Sequence, residues 1–178
     1  KSQQLALDRE HPTVQGLMNL LGSAGRAFLK TYVGQIPVGG TEAFDKAPID
    51  CFSMWTVHSY EGDYNPLHDH GSETPIGLSC ILYLKVPEQI ASLPNPTEDF
   101  EGLNSSSGAI DGFTYFTWGN SGMRDVNMLR PVTEEYVKPE VGTLIMFPSW
   151  LRQSVNPFFG EGERRTFSAN INIMKQKD

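Results

Sequence analysis

The chain has 178 residues, 39% hydrophobic and 11% aromatic, a composition typical of a globular domain with a core of its own. Its formal net charge of −7 argues against a phosphate-binding surface, and so against nucleic acid as a partner. No apolar run approaches the roughly 20 residues that a bilayer-spanning helix needs, so we expect no membrane segment.

The N-terminal part predicts a helical flank. Residues 1–12 are polar and predict no element. From Thr13 to Tyr32 the apolar residues recur at helical spacing, with Thr13 as a reasonable N-cap. Three glycines inside this stretch lower its helix propensity, so the helix must depend on tertiary packing. A loop rich in Gly and Pro follows, and the flank extends over about residues 1–48.

Short strands dominate the rest of the chain. The stretches rich in β-branched and aromatic residues are 51–60, 78–86, 112–118, 142–147 and 164–174. Between Pro87 and Asp111 a segment rich in Pro, Asn, Ser and Gly predicts a long loop. A helix followed by short strands predicts one mainly β domain, a sandwich or barrel with its β core over about residues 50–175.

Two cysteines, Cys51 and Cys80, lie inside predicted strands. We expect buried free thiols in preference to a disulfide, and their separation excludes a CxxC metal or redox motif. No signal-peptide pattern opens the chain, although its first residue is Lys1, so a removed leader remains open. These observations predict a cytoplasmic protein.

His68 and His70 are two of the four histidines in the chain. They are one residue apart, so in extended backbone both imidazoles leave the same face. Neutral imidazole is the commonest protein ligand for zinc, iron, nickel and copper. Histidines near a loop are nevertheless more often solvated or hydrogen-bonded, so a metal site needs a third ligand from a later strand.

The last predicted strand separates polar from apolar side chains. The polar face comprises Arg164, Thr166, Ser168 and Asn170. The apolar face comprises Phe167, Ala169, Ile171 and Ile173. A polar face either meets water or lines a cavity, and a planar guanidinium in it is suited to a bidentate grip on a carboxylate.

Four sequence blocks, taken in order, carry a resemblance to a known family. They are GDYNPLHxH at 62–70, LSxxLYLKVP at 78–87, KPxxGxLxxFPSxL at 138–151 and ERxTxSxN at 163–170. Over roughly residues 50–174 the sequence resembles the 2-oxoglutarate- and iron(II)-dependent oxygenases, and most of all a small branch found in bacteria, marine phages and marine metagenomes. The resemblance implies a double-stranded β-helix, a cupin-like jelly-roll, whose mouth holds iron and whose floor holds 2-oxoglutarate.

The resemblance also implies roles for individual residues. His68 matches the first iron-ligating histidine, and His70 stands where the wider family has its carboxylate. Arg164 matches the arginine that clamps the distal carboxylate of 2-oxoglutarate, and Thr166 matches its hydroxyl helper. Tyr83 stands where family members often place another co-substrate contact.

Gln153 departs from the family pattern. The family places its distal iron-ligating histidine in a Leu-x-His-x-Val-x-Pro block, whereas residues 151–157 read LRQSVNP, and no histidine follows His70. The implied metal set is therefore His68, His70 and Gln153, and we expect weak metal affinity because an amide oxygen is a poorer donor than imidazole. Three possibilities remain open. Gln153 or water completes the metal site, Asp69 or His58 serves as the third ligand, or the protein no longer oxidises a substrate.

The leading hypothesis is an iron(II)- and 2-oxoglutarate-dependent dioxygenase that hydroxylates a small-molecule or peptide substrate, with the long loop at 87–111 as a lid. A non-catalytic jelly-roll binding protein, and a cupin-like enzyme that uses zinc or nickel, are the alternatives. Exposed edge strands of such sandwiches often pair, so a homodimer is a further expectation. Trp118, Trp150, Phe147 and the pair Phe158 and Phe159 would form a substrate wall or, as is more frequent for such aromatic residues, core.

Overall fold

The computed structural model describes residues 2–33, 47–71, 77–96, 107–119 and 132–173. The helices in this part of the chain are α1 (Pro12–Val33) and α2 (Glu88–Ala91). The strands are β1 (Gln3–Ala6), β2 (Ile49–Ser59), β3 (Asn65–His68), β4 (Gly77–Lys85), β5 (Thr114–Thr117), β6 (Glu134–Val137), β7 (Leu144–Pro148), β8 (Arg152–Val155) and β9 (Arg164–Ile173).

Two antiparallel sheets make up the β core. The larger sheet has the order β1-β2-β9-β4-β7, and the smaller has the order β3-β8-β5-β6. Successive strands cross repeatedly between the two sheets, and the last strand, β9, lies between β2 and β4. This interleaving confirms the predicted mainly β jelly-roll with a flanking helix.

Helix α1 covers the outer face of the larger sheet. Its buried Leu21 and Leu29 pack on the apolar side chains of β2, β4 and β9, among them Ile171 and Phe167. The apolar face predicted for the last strand is therefore the face that meets this helix. Packing of this kind offsets the low helix propensity of a segment that contains three glycines.

The start of α1 differs from the prediction. The helix begins at Pro12, and the main-chain oxygen of His11 accepts the first helical hydrogen bond, from the Gln15 amide at 3.0 Å. The Thr13 amide donates to Nδ1 of His11 at 3.3 Å, so His11 caps the helix and Thr13 as N-cap was wrong. Proline is favoured at the first helical position because its fixed φ suits the helix and it has no amide to satisfy.

Each of the five predicted strand stretches contains a strand of the fold, but four short strands were missed. These are β1, β3, β6 and β8, and each is four residues long. The missed strand β1 lies in the N-terminal stretch that predicted no element. Their sequences mix polar and apolar residues over too few positions for a period to show.

The cysteines are buried free thiols, as predicted. Burial raises the pKa of Cys51 to about 11 and that of Cys80 to about 12. Both groups therefore stay protonated and unreactive near neutral pH.

The segment predicted as a lid is anchored at its two described ends. Helix α2 lies within it, and Ile90 of this helix is fully buried beside Phe113 and Phe158. Residues 97–106, which form the middle of the segment, lie outside the described residues, so the lid stays a prediction. In the described parts of the chain, no helix is long and apolar enough to cross a membrane.

Gly112 offers a test of this anchoring. Its φ is +72°. An added Cβ would lie closer to the Ile90 side chain than van der Waals contact allows, and Ile90 is fully buried. We expect Gly112→Ala to cost about 1–2 kcal/mol for the left-handed backbone and about 1–3 kcal/mol more for overpacking. The free energy of unfolding in urea measures the loss.

Gly62→Ala is the matched control for Gly112→Ala. Gly62 has a φ of +74°, nearly the same as Gly112, but no atom lies within 4 Å of the added Cβ. It should therefore show the backbone cost alone. Equal losses in the two variants would contradict the close packing of Gly112 on Ile90.

Candidate active site

A cavity of about 530 Å³ lies between the two sheets and is lined by residues of β1, β2, β3, β8 and β9, among others. Five of the six predicted site residues line it: His68, His70, Gln153, Arg164 and Thr166. The sixth, Tyr83, is not part of its lining. The fold thus brings together residues that are up to about a hundred positions apart in the chain.

Pairing of β3 with β8 assembles the candidate metal end. His68 is the register partner of Gln153, so the two side chains meet across neighbouring strands. His70 follows the end of β3, where its amide donates to the Ser149 oxygen at 2.9 Å. The ring centroids of His68 and His70 are 5.2 Å apart, in an edge-to-face arrangement.

Hydrogen bonds orient the His68 ring. Its Nδ1 lies 2.6 Å from the Pro66 carbonyl oxygen, which only accepts, so Nδ1 carries the proton. The lone pair is then on Nε2, the nitrogen left to ligate. A metal-binding histidine typically has this arrangement, because the second nitrogen fixes the tautomer and the direction of the ring.

The side-chain amide of Gln153 is buried and only half satisfied. Its Nε2 lies 3.1 Å from Nε2 of His70, while its Oε1 has no hydrogen-bond partner among the described residues. A buried acceptor without a donor costs about 1–3 kcal/mol. A cation beside Oε1 would remove this cost.

The donors fit a divalent ion. The two ends of a glutamine amide are assigned from hydrogen bonding. In the exchanged orientation the oxygen lies beside His70, and Nε2 takes the place of Oε1 as the atom without a partner among the described residues. Adjacent ligands of an octahedral ion, each about 2.1 Å from it, are about 3 Å apart. The 3.1 Å between the Gln153 amide and the His70 nitrogen matches that separation. The set is neutral, with two imidazoles and one amide.

The other two candidate ligands, Asp69 and His58, are hydrogen-bonded elsewhere. Within the described residues, no group of three or more His, Cys, Asp or Glu side chains is placed to hold a metal. Asp69 lines the cavity, but its Oδ1 accepts from the Gly71 amide at 3.0 Å. His58 is not among the lining residues, and its Nδ1 lies 2.7 Å from Glu163.

Arg164 forms the candidate anion site. The residue is 2% exposed, and its side chain reaches from β9 in the larger sheet to the smaller sheet. Its Nε donates to the Gly112 oxygen and its Nη2 to Oγ1 of Thr114, both at 3.0 Å. Burial lowers its pKa, but a guanidinium stays protonated in proteins. No carboxylate of the described residues pairs with it.

A buried charge without a counter-ion is expensive, because desolvation is compensated only by neutral acceptors. An anion bound in the cavity would neutralise it, and the planar guanidinium would bind a carboxylate through paired hydrogen bonds. The polar face predicted for the last strand lies on the cavity side. Thr166 and Ser168 line the cavity beside Arg164, and Asn170 accepts a hydrogen bond from Ser79 at 3.0 Å.

Tyr83 supports Arg164 from behind. Its fully buried ring lies 5.2 Å below the guanidinium carbon, close enough for a cation–π contact. Its hydroxyl lies 2.7 Å from Oγ1 of Thr114, and burial raises its pKa. The direct co-substrate contact expected of Tyr83 stays a prediction, and its position is that of a support. The sequence did not single out Thr114, because nothing distinguishes it within its strand.

The sequence also missed the side chains that enclose the rest of the cavity. Gln4 and Ala6 of β1, Trp55 of β2 and Asn65 of β3 line it. The centroid of the Trp55 ring lies 6.0 Å from that of His70. No sequence signal marked Gln4 and Ala6, because residues 1–12 show no hydrophobic period.

The aromatic residues considered for a substrate wall do not line this cavity. Phe147 is core, as the more frequent pattern suggests, whereas Trp118 and Trp150 are exposed.

Comparison with known proteins gives the same family as the sequence resemblance. The family model described as "Putative 2OG-Fe(II) oxygenase" matches residues 53–170, about two thirds of the chain. None of the curated proteins matches the sequence.

Solved structures share the fold at low identity. An oxidoreductase of the 2OG-Fe(II) oxygenase family from Burkholderia pseudomallei is 15% identical, with a TM-score of 0.55 over 99% of this chain and 71% of the other. A Pseudomonas putida prolyl-4-hydroxylase is 15% identical, with a TM-score of 0.54 over 98% and 73%. HygX from Streptomyces hygroscopicus, with nickel and 2-oxoglutarate bound, is 9% identical, with a TM-score of 0.51 over 99% and 73%.

The hydroxyl of Tyr83 tests the support of Arg164. Tyr83→Phe keeps the ring beneath the guanidinium and removes the hydrogen bond to Thr114, so we expect a loss of about 1 kcal/mol in the free energy of unfolding. Tyr64→Phe is the control, because Tyr64 is 64% exposed and should lose nothing measurable. Equal stability of the two variants would contradict the bond to Thr114.

Proposed function

The chain belongs to the 2OG-Fe(II) oxygenase family, and we propose that it is an iron(II)- and 2-oxoglutarate-dependent dioxygenase that hydroxylates a small-molecule or peptide substrate. One observation carries the proposal. A single cavity is lined both by three neutral metal donors and by a buried arginine that no described carboxylate neutralises. A metal chelated by an organic acid matches both ends of that cavity.

In this proposal His68, His70 and Gln153 hold the iron, and Arg164 binds the distal carboxylate of 2-oxoglutarate with Thr166 beside it. Bound iron(II) and 2-oxoglutarate supply dioxygen activation, in which 2-oxoglutarate is oxidised to succinate and CO₂ while one oxygen atom of O₂ enters a substrate C–H bond. The hydrogen bond from His68 Nδ1 to Pro66 keeps the Nε2 lone pair directed at the metal. The bonds of Arg164 to Gly112 and Thr114 hold its guanidinium ready before the anion arrives.

The neutral donor set has a consequence for binding. Two imidazoles and an amide leave the positive charge of the ion uncompensated, and the 2-oxoglutarate dianion would compensate it. We therefore expect metal and co-substrate each to strengthen the binding of the other, by the same factor. The substrate would lie toward Trp55, Gln4 and Asn65, which line the cavity and have no part in holding the metal or co-substrate.

One contact favours a second candidate function. The Gln153 amide already bonds to Nε2 of His70, the nitrogen that would ligate the metal. If this hydrogen bond has replaced metal binding, the protein would be a non-catalytic jelly-roll that binds a small carboxylic acid. A cupin-like enzyme with zinc or nickel is a further alternative, which metal analysis of the purified protein separates.

Anaerobic iron(II) titration of the parent and of His68→Ala tests the metal site. We expect the parent to bind iron(II) more tightly when 2-oxoglutarate is present, and His68→Ala to lose at least about 10-fold in affinity. His11→Asn is the control, because His11 is exposed and Asn also caps helices. Weak binding that is indifferent to His68 would contradict the proposed site.

Gln153→His separates an enzyme from a binding protein. Imidazole is a better donor than an amide, so the variant should bind iron(II) more tightly than the parent. Succinate formation from 2-oxoglutarate is then measured for both proteins. Turnover by the parent supports the dioxygenase, whereas turnover that appears only in Gln153→His supports the non-catalytic protein.

A further inference from the structure

An ionic cluster lies on the outer face of the larger sheet, behind the Arg164 end of the cavity. Its centre is Glu163, whose side chain is only 9% exposed. Arg165 donates to this carboxylate from Nε at 2.9 Å and from Nη2 at 2.8 Å. Nζ of Lys85 donates at 3.2 Å, and Nδ1 of His58 lies 2.7 Å away.

The cluster ties together the three central strands of this sheet. His58 is on β2, Arg165 on β9 and Lys85 on β4, and Arg165 is the register partner of both of the others. Each strand ends here, because Ser59 is the last residue of β2, Lys85 the last of β4 and Arg164 the first of β9. A cross-link at strand ends opposes local opening of the ladder there.

A β-bulge lets β4 serve both faces. Tyr83 pairs with Thr166 and Lys85 with Arg165, so Leu84 is an extra residue in the ladder. In a regular strand Tyr83 and Lys85 would point to the same face. The extra residue instead leaves Tyr83 beneath Arg164 on the cavity side and Lys85 with Glu163 on the outside.

We propose that Glu163 is a positioning residue for Arg164: by clamping β2, β4 and β9 at their ends, it sets the place from which the arginine reaches the cavity. The inference rests on the proposed function, since 2-oxoglutarate is taken as the ligand of Arg164. Among the described residues, the side chain of Arg164 donates hydrogen bonds to Gly112 and Thr114, on the side of the smaller sheet. Its own strand end therefore needs a separate anchor, and alternation along β9 places that anchor on the opposite face.

The charge state of Glu163 suits this role. The paired hydrogen bonds from Arg165, followed by those from His58 and Lys85, lower the pKa of Glu163 to about 2. Its carboxylate is therefore ionised at every pH at which the protein would work, and the clamp is permanently charged.

Glu163→Gln tests the proposal through binding. The probe is 2-oxoglutarate, titrated calorimetrically in the presence of manganese(II), and the variant should bind it about 10-fold more weakly because the guanidinium is displaced. Manganese(II) affinity without 2-oxoglutarate should not change. In turnover, KM for 2-oxoglutarate should rise while kcat at saturation is kept. Glu161→Gln, an exposed glutamate two residues away, should match the parent.

Further variants separate the possible outcomes. Lys85→Met and His58→Gln each remove one contact of the clamp, and we expect smaller losses of 2-oxoglutarate affinity than in Glu163→Gln. These two variants also test the proposal if Glu163→Gln folds poorly. Parental 2-oxoglutarate affinity in all three would overturn the positioning role, provided that Arg164→Met abolishes binding. If Arg164→Met also binds as the parent does, the proposed function itself fails. An equal loss of manganese(II) affinity would indicate general loosening and would likewise overturn the inference.

Acid stability gives a readout independent of any ligand. A carboxylate with a lowered pKa stabilises the folded state above its unfolded pKa, about 4.3, and loses that contribution as the pH falls toward 2. The parent should therefore lose more stability than Glu163→Gln between about pH 5 and 2.5 in thermal unfolding. Parallel curves would show that the cluster does not form, and would overturn the proposal.

Discussion

The buried guanidinium of Arg164 is the interaction on which the rest of the site depends. A charge removed from water is stable only where the surrounding groups are aligned to solvate it. Here the Tyr83 ring lies beneath it, the Gly112 and Thr114 oxygens accept from it, and no described carboxylate neutralises it. A buried charge that no described carboxylate pairs with costs stability, which supports the proposed role of Arg164 in binding a carboxylate ligand.

The two ends of the cavity complement each other electrostatically. The candidate metal end consists of His68, His70 and the amide of Gln153, which carry no negative charge when the imidazoles are neutral. The other end carries the positive charge of Arg164. A dianion that reaches from one to the other would satisfy both, which makes the unusual glutamine compatible with the family's chemistry. The Gln153 amide lies within hydrogen-bond distance of His70, at 3.1 Å, so the two side chains are adjacent at this end of the cavity.

The two faces of strand β9 have different roles in the structure. One face gives the cavity Arg164, Thr166 and Ser168, and the other packs Phe167 and Ile171 on helix α1. Where the strand begins, the outer face carries the Glu163 cluster instead of core. The family match begins at residue 53, so β1, which supplies part of the cavity wall, lies outside it.

Local sequence determined much of this protein. The alternation of residues 164–173 is a period of two, and it predicted both faces of β9. The HxH pair and the buried thiols were likewise readable, because each depends on residue type and on neighbours in the chain. Gln153 was singled out only by the resemblance to the family pattern. Four short strands were not predicted, since four residues carry too little period.

Only the tertiary structure decided which residues surround Arg164 and Glu163. The bulge at Leu84 placed Lys85 beside Glu163, the pairing of distant strands brought Thr114 to Arg164, and His58 bonds to Glu163 instead of lining the cavity. Register and bulges arise from contacts between segments far apart in the chain. Side-chain periodicity along a single strand therefore predicts which face a residue occupies, but it does not predict which residue it will meet there.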